Sequence, residues 1–242
     1  MAAKSFIVTC EHGGNRIPAR YRSLFRGHDA LLRTHRGYDP GALVMARDLA
    51  GALRAPLVSA TVSRLLIDLN RSLGHPQLFS AATRGATAVA RAGIVDRHYR
   101  PYRAEVERLV RRAVKRGRRV IHVSLHSFTP VLDGQVRRAD VGLLYDPARR
   151  GEVMLCERWK AELATAVPTL SVRRNYPYAG KGDGLTSYLR RQFSPGAYVG
   201  IELEVNQRIV FNAGRRWTAL RGVLIESLRA ALRGQPDTGE QR

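Results

Sequence analysis

The sequence predicts an α/β domain built around a mixed, mostly parallel β-sheet. Short apolar runs typical of strands alternate along the chain with longer segments whose apolar residues recur at helical spacing. Hydrophobic residues make up 44% of the 242 residues, which is enough for the core of a single α/β unit. We therefore predict one domain over residues 1–233, followed by a disordered tail over residues 234–242.

Apolar runs bounded by turn residues or helices predict the strands. Two shorter runs, at residues 65–67 and 170–172, are further candidates. The principal strands are predicted at Ser5–Thr9, Leu57–Val62, Val120–Leu125, Val141–Leu144 and Val199–Glu204.

The helices are predicted from capping residues and apolar spacing. Asp39-Pro40 and Asp146-Pro147 each combine a capping carboxylate with a proline suited to the first helical turn, so they should begin helices that end near Leu53 and Pro168. Two more helices are predicted over 98–116 and 213–232, and a glycine- and tyrosine-rich functional loop is predicted over 175–187.

The formal net charge of +21 has two interpretations. Only four of the 41 basic residues are lysines, and such one-sided arginine use is what the codon bias of a GC-rich genome would produce. The functional interpretation is binding of a polyanion through phosphate contacts. The densest run, Arg108 to Arg119, resembles the solvent face and end of one helix. Nucleic acid therefore stays as the alternative partner.

The sequence also indicates where in the cell the protein is expected. No apolar run approaches the roughly 18 residues that a membrane span needs, so no membrane partner is expected. The N-terminal apolar stretch is short and leads directly into Glu11 and His12, unlike a secretory signal. Cys10 and Cys156 form no disulfide framework. We expect a cytoplasmic protein.

Ionisable residues follow several of the predicted strands. His12 lies in the loop after the first strand, and His126 follows the strand that ends at Leu125. Ligands of α/β proteins bind at the carboxyl ends of strands, which indicates one shared site. A single histidine in such a place is more often structural, but two of them favour a zinc site with an open water position.

The residues alone leave the third metal ligand and the general base open. Asp39, Glu11 and Asp68 are the candidate carboxylates; Asp39 could instead cap a helix, and Glu11 should point away from its neighbour His12. Glu202 and Glu204 are two residues apart, so they share one face of their strand. One of them could serve as base beside a metal, or both could lie on a solvated edge.

Arg64, Asn70 and Arg71 lie close together after the second predicted strand. The planar guanidinium group suits a carboxylate and can also polarise a carbonyl oxygen. In an arginine-rich chain, it is the clustering of these residues that indicates a role in the site.

An ordered set of motifs resembles the N-formylglutamate amidohydrolase family, which is related to the zinc carboxypeptidases. Single motifs are weak, but the set spans most of the chain in the family's order. The matching segments are Cys10–Pro18, Tyr38–Ala42, Ser63–Arg71, Tyr99–Tyr102, His126–Pro130, Gly142–Tyr145, Asn175–Tyr178 and Ile201–Glu204.

The resemblance implies a three-layer α/β/α sandwich like that of the zinc exopeptidases. It also implies hydrolysis of a small N-acyl amino acid, N-formyl-L-glutamate to formate and glutamate, a reaction of histidine degradation. The implied cofactor is Zn²⁺ or another divalent metal. The implied residues are His12 and His126 for the metal, Glu204 as base, Arg64 for the carbonyl, and Asn70 and Arg71 for the substrate carboxylate. We further expect the loop that carries Tyr178 to close over the bound substrate.

Two departures from the patterns of these families are visible. The carboxypeptidases take their carboxylate ligand three residues after the first histidine, where this chain has Asn15, and Asp39 is the preferred replacement. The segment after Glu204 reads Asn206-Gln207-Arg208, without the family's usual charged pair, which leaves the acyl group and the amino acid of the substrate open.

Overall fold

The computed structural model describes residues 3–212 and 214–233. The predicted tail over 234–242 lies outside the described residues, and so does residue 213, where the last helix is predicted to begin. Eight strands are found in the part described: β1 Lys4–Cys10, β2 Leu57–Ser59, β3 Arg119–Phe128, β4 Val131–Leu132, β5 Gln135–Val136, β6 Val141–Leu144, β7 Val172–Arg174 and β8 Tyr198–Asn206.

Helices connect the strands and cover both faces of the main sheet. A 3₁₀ helix spans Ala19–Phe25, and a π-helical segment, Val95–Tyr99, joins α4 to α5. The α-helices are α1 Asp29–Leu32, α2 Ala42–Leu53, α3 Ala81–Arg84, α4 Ala88–Ile94, α5 Arg100–Lys115, α6 Arg150–Ala166, α7 Leu185–Gln192, α8 Gln207–Phe211 and α9 Arg215–Arg233. None of these described helices is both long and apolar enough to cross a membrane.

The main sheet has six strands in the order β2-β1-β3-β8-β6-β7. The first four are mutually parallel, while β6 runs antiparallel to β8 and parallel to β7. The strands β4 and β5 form a separate antiparallel hairpin. The predicted mixed, mostly parallel α/β sheet is confirmed. Its parallel strands bring the ends of β1, β3 and β8 to one edge of the sheet.

Two apolar cores, one on each face of the sheet, make the domain a three-layer sandwich. On one face, α2, α6 and α9 pack through buried residues that include Leu49, Trp159 and Leu228. On the other, α5 and α7 pack through residues such as Val106 and Leu189. Apolar burial on both faces explains why the central strands read as nearly continuous hydrophobic runs.

The strand predictions differ from the structure at their ends. β3 continues to Phe128, so His126 lies within the strand and not after it. β2 ends at Ser59, because the chain then turns away and Val62 makes only an isolated bridge. The run at 65–67 is a turn whose side chains are buried in the core, not a strand.

The helix predictions differ at their starts. Asp39 does not cap α2, which begins at Ala42 after Gly41, a residue in the left-handed region with φ of 80°. Similarly, α6 begins at Arg150 and not at Asp146. The long helix predicted over 98–116 belongs to a continuous helical segment that begins earlier, with α4.

Candidate metal centre and substrate pocket

Asp39 lies between the two histidines predicted to bind a metal. Its Oδ2 is 3.2 Å from Nδ1 of His12 and 2.8 Å from Nδ1 of His126. All three side chains are buried, and one potential ligand atom from each lies within 4.8 Å of the others. The three elements that carry these residues are the loop after β1, the loop before α2, and β3.

The loop before α2 is held in this position because its backbone is hydrogen-bonded to the loop after β1. The N–H of Asp39 donates to the carbonyl oxygen of His12 at 2.9 Å. Asn15 lies outside the cluster, since its side chain donates to the carbonyl of Leu32 at 3.1 Å. Asp39 therefore stands between the imidazoles, and Asn15 takes no part in the cluster.

A second carboxylate lies behind each imidazole. Asp68 Oδ1 is 2.7 Å from Nε2 of His12. Nε2 of His126 lies 3.2 Å from Glu11 Oε2 and 3.0 Å from the hydroxyl of Ser124, which itself donates to Glu11. An ionised carboxylate can only accept, so Nε2 of His12 carries a proton, and Nε2 of His126 is held in the same way by Glu11 and Ser124. This arrangement orients each Nδ1 towards Asp39.

Electrostatic interactions support these charge states. Burial acts to raise the pKa of Asp39, but the two histidines and Arg64 outweigh it and hold that pKa well below its usual range. Burial acts to lower the pKa of His126, and the carboxylates of Asp39 and Glu11 raise it above the usual value. Arg64 completes the network with Nη2 2.8 Å from Asp68 Oδ2 and Nη1 3.4 Å from Asp39 Oδ1.

Glu204 is a buried carboxylate with one oxygen atom that is not hydrogen-bonded to the described residues. Its Oε2 makes no hydrogen bond within the part of the chain that the structure describes. Burial raises the pKa of Glu204 to about 8, and the negative charges of Asp39 and Glu202 add to the effect. Glu202 is less buried and accepts a hydrogen bond from the hydroxyl of Thr186 at 2.6 Å.

One cavity of about 360 Å³ joins these groups. Its polar lining includes His35, Asp183 and Glu202 beside the residues predicted from the sequence. Every predicted site residue lines it: His12, Asp39, Arg64, Asn70, Arg71, His126, Tyr178 and Glu204.

Part of the cavity wall is built from the loop before α7. Nη1 of Arg71 donates to the carbonyl of Asp183 at 3.1 Å, and Oδ1 of Asn70 accepts from the N–H of Leu185 at 2.7 Å. Tyr178 lies at the mouth with 49% of its surface exposed. Asn70 and Arg71 are thus held in place by backbone atoms.

A buried ion pair holds the same loop to the sheet. Arg190 pairs with Glu152 at 3.0 Å, and its Nη1 donates to the carbonyl of Gly180 at 2.6 Å. The pair therefore links α6 and α7 to the loop that carries Tyr178. The sequence did not indicate this role, because three distant segments contribute to it.

Three supporting residues acquire roles that the sequence leaves open or does not indicate. Glu11 and Asp68 are candidate metal ligands in the sequence, yet each contacts the imidazole nitrogen that faces away from Asp39. Ser124 has no predicted role. Its place two residues before His126 in one strand was the available signal, since such residues share a face.

The donor set fits a divalent metal ion. Two imidazole nitrogens and one carboxylate oxygen are a common ligand set of catalytic zinc, which keeps a further position open. A carboxylate behind each imidazole is the usual outer support of such ligands. The buried Oε2 of Glu204, which has no hydrogen-bond partner among the described residues, is in addition a polar atom that a bound group could satisfy.

Comparison with known proteins gives a family and a fold. A sequence profile described as N-formylglutamate amidohydrolase matches residues 4–211. A crystal structure of the gene product Atu2144 from Agrobacterium tumefaciens is 29% identical, with a TM-score of 0.82 over 96% of this chain and 92% of that one. N-formylglutamate amidohydrolase from Ralstonia eutropha JMP134 is 21% identical, with a TM-score of 0.69 over 96% and 94%.

No curated protein sequence matches this chain at a significant level. The family profile nevertheless covers most of the chain, from the first residues of β1 to the end of α8. The predicted resemblance is confirmed: the chain belongs to the N-formylglutamate amidohydrolase family of hydrolases.

Proposed function

We propose that this protein is a metal-dependent amidohydrolase that cleaves N-formyl-L-glutamate to formate and glutamate. Zn²⁺, or another divalent metal, would be held by His12, Asp39 and His126. The observation that carries the proposal is Asp39 Oδ2 placed between two imidazole Nδ1 atoms in a cavity that also contains a buried glutamate. We expect the reaction to take place in the cytoplasm, as part of histidine degradation.

A divalent metal ion bound there supplies a positive charge that makes water more acidic and stabilises negative charge on oxygen. Glu204 acts as the base: it takes a proton from the attacking water as the water oxygen bonds to the acyl carbon. The C–N bond then breaks, and Glu204 gives that proton to the leaving nitrogen. Because burial raises the pKa of Glu204 to about 8, a nearby cation is needed to keep it ionised at neutral pH.

Arg64 and the loop residues orient the substrate. The guanidinium of Arg64 is held by Asp68 at 2.8 Å. In the proposed reaction it stabilises the oxygen of the scissile carbonyl. A well-placed group of this kind contributes roughly 3–4 kcal/mol to the transition state. Asn70 and Arg71 bind the substrate carboxylate, and Tyr178 covers the site.

The proposal is tested with purified protein freed of metal by a chelator and then loaded with zinc. A panel of N-formyl, N-acetyl and longer N-acyl amino acids is offered to the parent and to the His126→Ala variant. We expect zinc to restore hydrolysis in the parent but not in the variant. Equal activity of the two proteins, or full activity of the metal-free parent, would falsify the metal-dependent mechanism.

Polyanion binding is the second candidate function, and one surface favours it. The outer face of α5 carries the exposed cations Arg112, Lys115 and Arg116, which make no salt bridge within the described residues, whereas Arg108 and Arg111 are paired with glutamates. These three cations form a stripe suited to phosphate groups. Retention on duplex DNA at physiological salt would support this function.

A further inference from the structure

Among the described residues, the cations that line the cavity can bind only one carboxylate group of a substrate. Arg64 is already neutralised by Asp68 at 2.8 Å and Asp39 at 3.4 Å. Arg71 has a backbone partner but no acidic side-chain partner among the described residues, so it is available to one carboxylate. A substrate with a second carboxylate therefore needs another positive group near the mouth of the cavity.

Arg137 supplies such a group. It follows the hairpin of β4 and β5, and its guanidinium lies over the ring of Tyr178, 5.0 Å from the centroid. Its Nη1 also donates to the Tyr178 hydroxyl at 3.0 Å. Tyr178 lines the cavity, so both contacts hold Arg137 beside the entrance. No carboxylate forms a salt bridge with Arg137 within the part of the chain described.

His35 shows independently that the charge of Arg137 reaches the cavity wall. This imidazole lines the cavity, and its pKa is lowered first by partial burial and then by the cations Arg36, Arg64 and Arg137. Arg137 is therefore close enough to act on a side chain of the cavity wall. The acidic groups Glu202 and Asp183, which line the same cavity, accept hydrogen bonds from Thr186 and from the backbone N–H of Ser72.

We propose that Arg137 is a specificity-determining residue that binds the side-chain carboxylate of an acidic N-acyl amino acid. The inference rests on the proposed function, because it concerns the substrate of the same site. Arg137 selects an acidic side chain over its neutral amide isostere. The contacts with Tyr178 orient the guanidinium before the substrate arrives, which lowers the entropy lost on binding.

The test compares kcat/KM for N-formylglutamate and N-formylglutamine in the zinc-loaded parent and in Arg137→Gln. A hydrogen-bonded charge pair corresponds to a selectivity of about 10- to 100-fold. We expect that ratio to fall close to one in Arg137→Gln, mainly through a lower kcat/KM for N-formylglutamate. Arg137→Lys keeps the charge but loses the planar fork, so it should recover part of the ratio.

Two neighbouring arginines provide matched controls. Arg138→Gln removes an equal charge at the next position, and Arg36→Gln removes another of the cations that act on His35. Both variants should keep the parent ratio. The inference is overturned if Arg137→Gln keeps the ratio, or if Arg36→Gln loses it to the same extent.

Binding measurements separate this inference from the proposed reaction. Calorimetry of N-formylglutamate and N-formylglutamine with the same variants measures the ratio of the two binding affinities and does not depend on hydrolysis. If the parent hydrolyses neither compound but binds the acidic one more tightly in an Arg137-dependent manner, the reaction is wrong and Arg137 keeps its role. Equal binding of both compounds, or no binding of either, overturns the inference.

Discussion

His126 and Glu204 are registered partners on the adjacent parallel strands β3 and β8. The backbone ladder between the two strands thus sets the spacing between a predicted metal ligand and the predicted base. No flexible loop intervenes, so the relative position of the two side chains is determined by the most buried part of the sheet. Rigid strands hold catalytic groups more accurately than loops do.

Glu204→Gln should therefore separate metal binding from catalysis. The amide keeps the size of the side chain but cannot accept a proton from water, so we expect kcat to fall by about 10²- to 10⁴-fold. Zinc content, measured on the dialysed protein, should stay near that of the parent. Activity within a few-fold of the parent would assign the base to another group, with Glu202→Gln as the next variant to examine.

Asp39→Asn should abolish tight metal binding. Among the described residues, Asp39 alone has a carboxylate oxygen between the two Nδ1 atoms, so the substitution would remove both a proposed ligand and the negative charge that attracts the cation. The measurement is zinc affinity in competition with a chromophoric chelator. Asn15→Ala is the control, because this position holds the carboxylate in the carboxypeptidase pattern. Weakened zinc binding in Asn15→Ala but not in Asp39→Asn would reverse the assignment.

His122 should make the stability of the metal-free protein depend on acidity. This buried imidazole lies between Thr9 and Tyr198, and burial lowers its pKa from 6.5 to about 4. The unfolded chain therefore binds more protons than the folded one as the pH falls from 6.5 towards 4. That difference destabilises the folded state by about 3 kcal/mol at the acid end of the range.

The His122→Gln variant isolates this contribution, since glutamine can still offer one donor and one acceptor to the same neighbours. Urea unfolding of both proteins is followed at several pH values in the presence of a chelator. We expect the free energy of unfolding to fall more steeply with decreasing pH in the parent than in the variant. Parallel slopes would show that the pKa of His122 is the same in the folded and the unfolded chain, and would contradict the prediction.

Glu152→Gln should destabilise the domain strongly. The substitution leaves the charge of Arg190 buried without compensation, for which a loss of about 3–5 kcal/mol is typical. Glu157→Gln breaks the more exposed pair with Arg174 and should cost less than about 1 kcal/mol. Chemical denaturation of the two variants gives both values. Similar losses in the two variants would contradict the structural role given to the buried pair.

Removing the three unpaired cations of α5 tests polyanion binding. Replacing Arg112, Lys115 and Arg116 by glutamine should make the dependence of log K on log salt for duplex DNA shallower by roughly 2–3. The control replaces the exposed arginines at positions 22, 26 and 33 in the same way. An equal change in both triple variants would mean that DNA binding depends on the net charge of the protein and not on this surface.

The sequence indicates the site better than it indicates the ends of the elements. Local features such as a histidine after an apolar run are visible in a single chain, and all eight predicted site residues line one cavity. The sequence predicts the end of β3 too early, because His126 and Ser127 are polar. In the folded protein their backbones pair with β8, so the strand continues past them.

Roles that depend on which atoms meet were not predictable. Glu11, Asp68 and Ser124 acquire their roles from the imidazole nitrogen that each contacts, and no spacing in the sequence encodes that choice. The run at 65–67 shows a different kind of error, in which the sequence predicts a strand where the structure has a turn. Its composition is typical of a strand, yet the chain turns there so that Arg64 and Asp68 can both reach the site.

The backbone hydrogen bond from Asp39 to His12 closes residues 13–38 into a loop that begins and ends at the proposed metal site. Part of this loop is fixed in the core through the buried side chains of Tyr21, Phe25 and Leu32, but Gly27 lies in an exposed turn with open space around it. Lengthening a loop of this kind adds little entropic cost. An insertion at Gly27 should thus leave the spacing of His12 and Asp39 unchanged, and this turn is a suitable place for an engineered insertion.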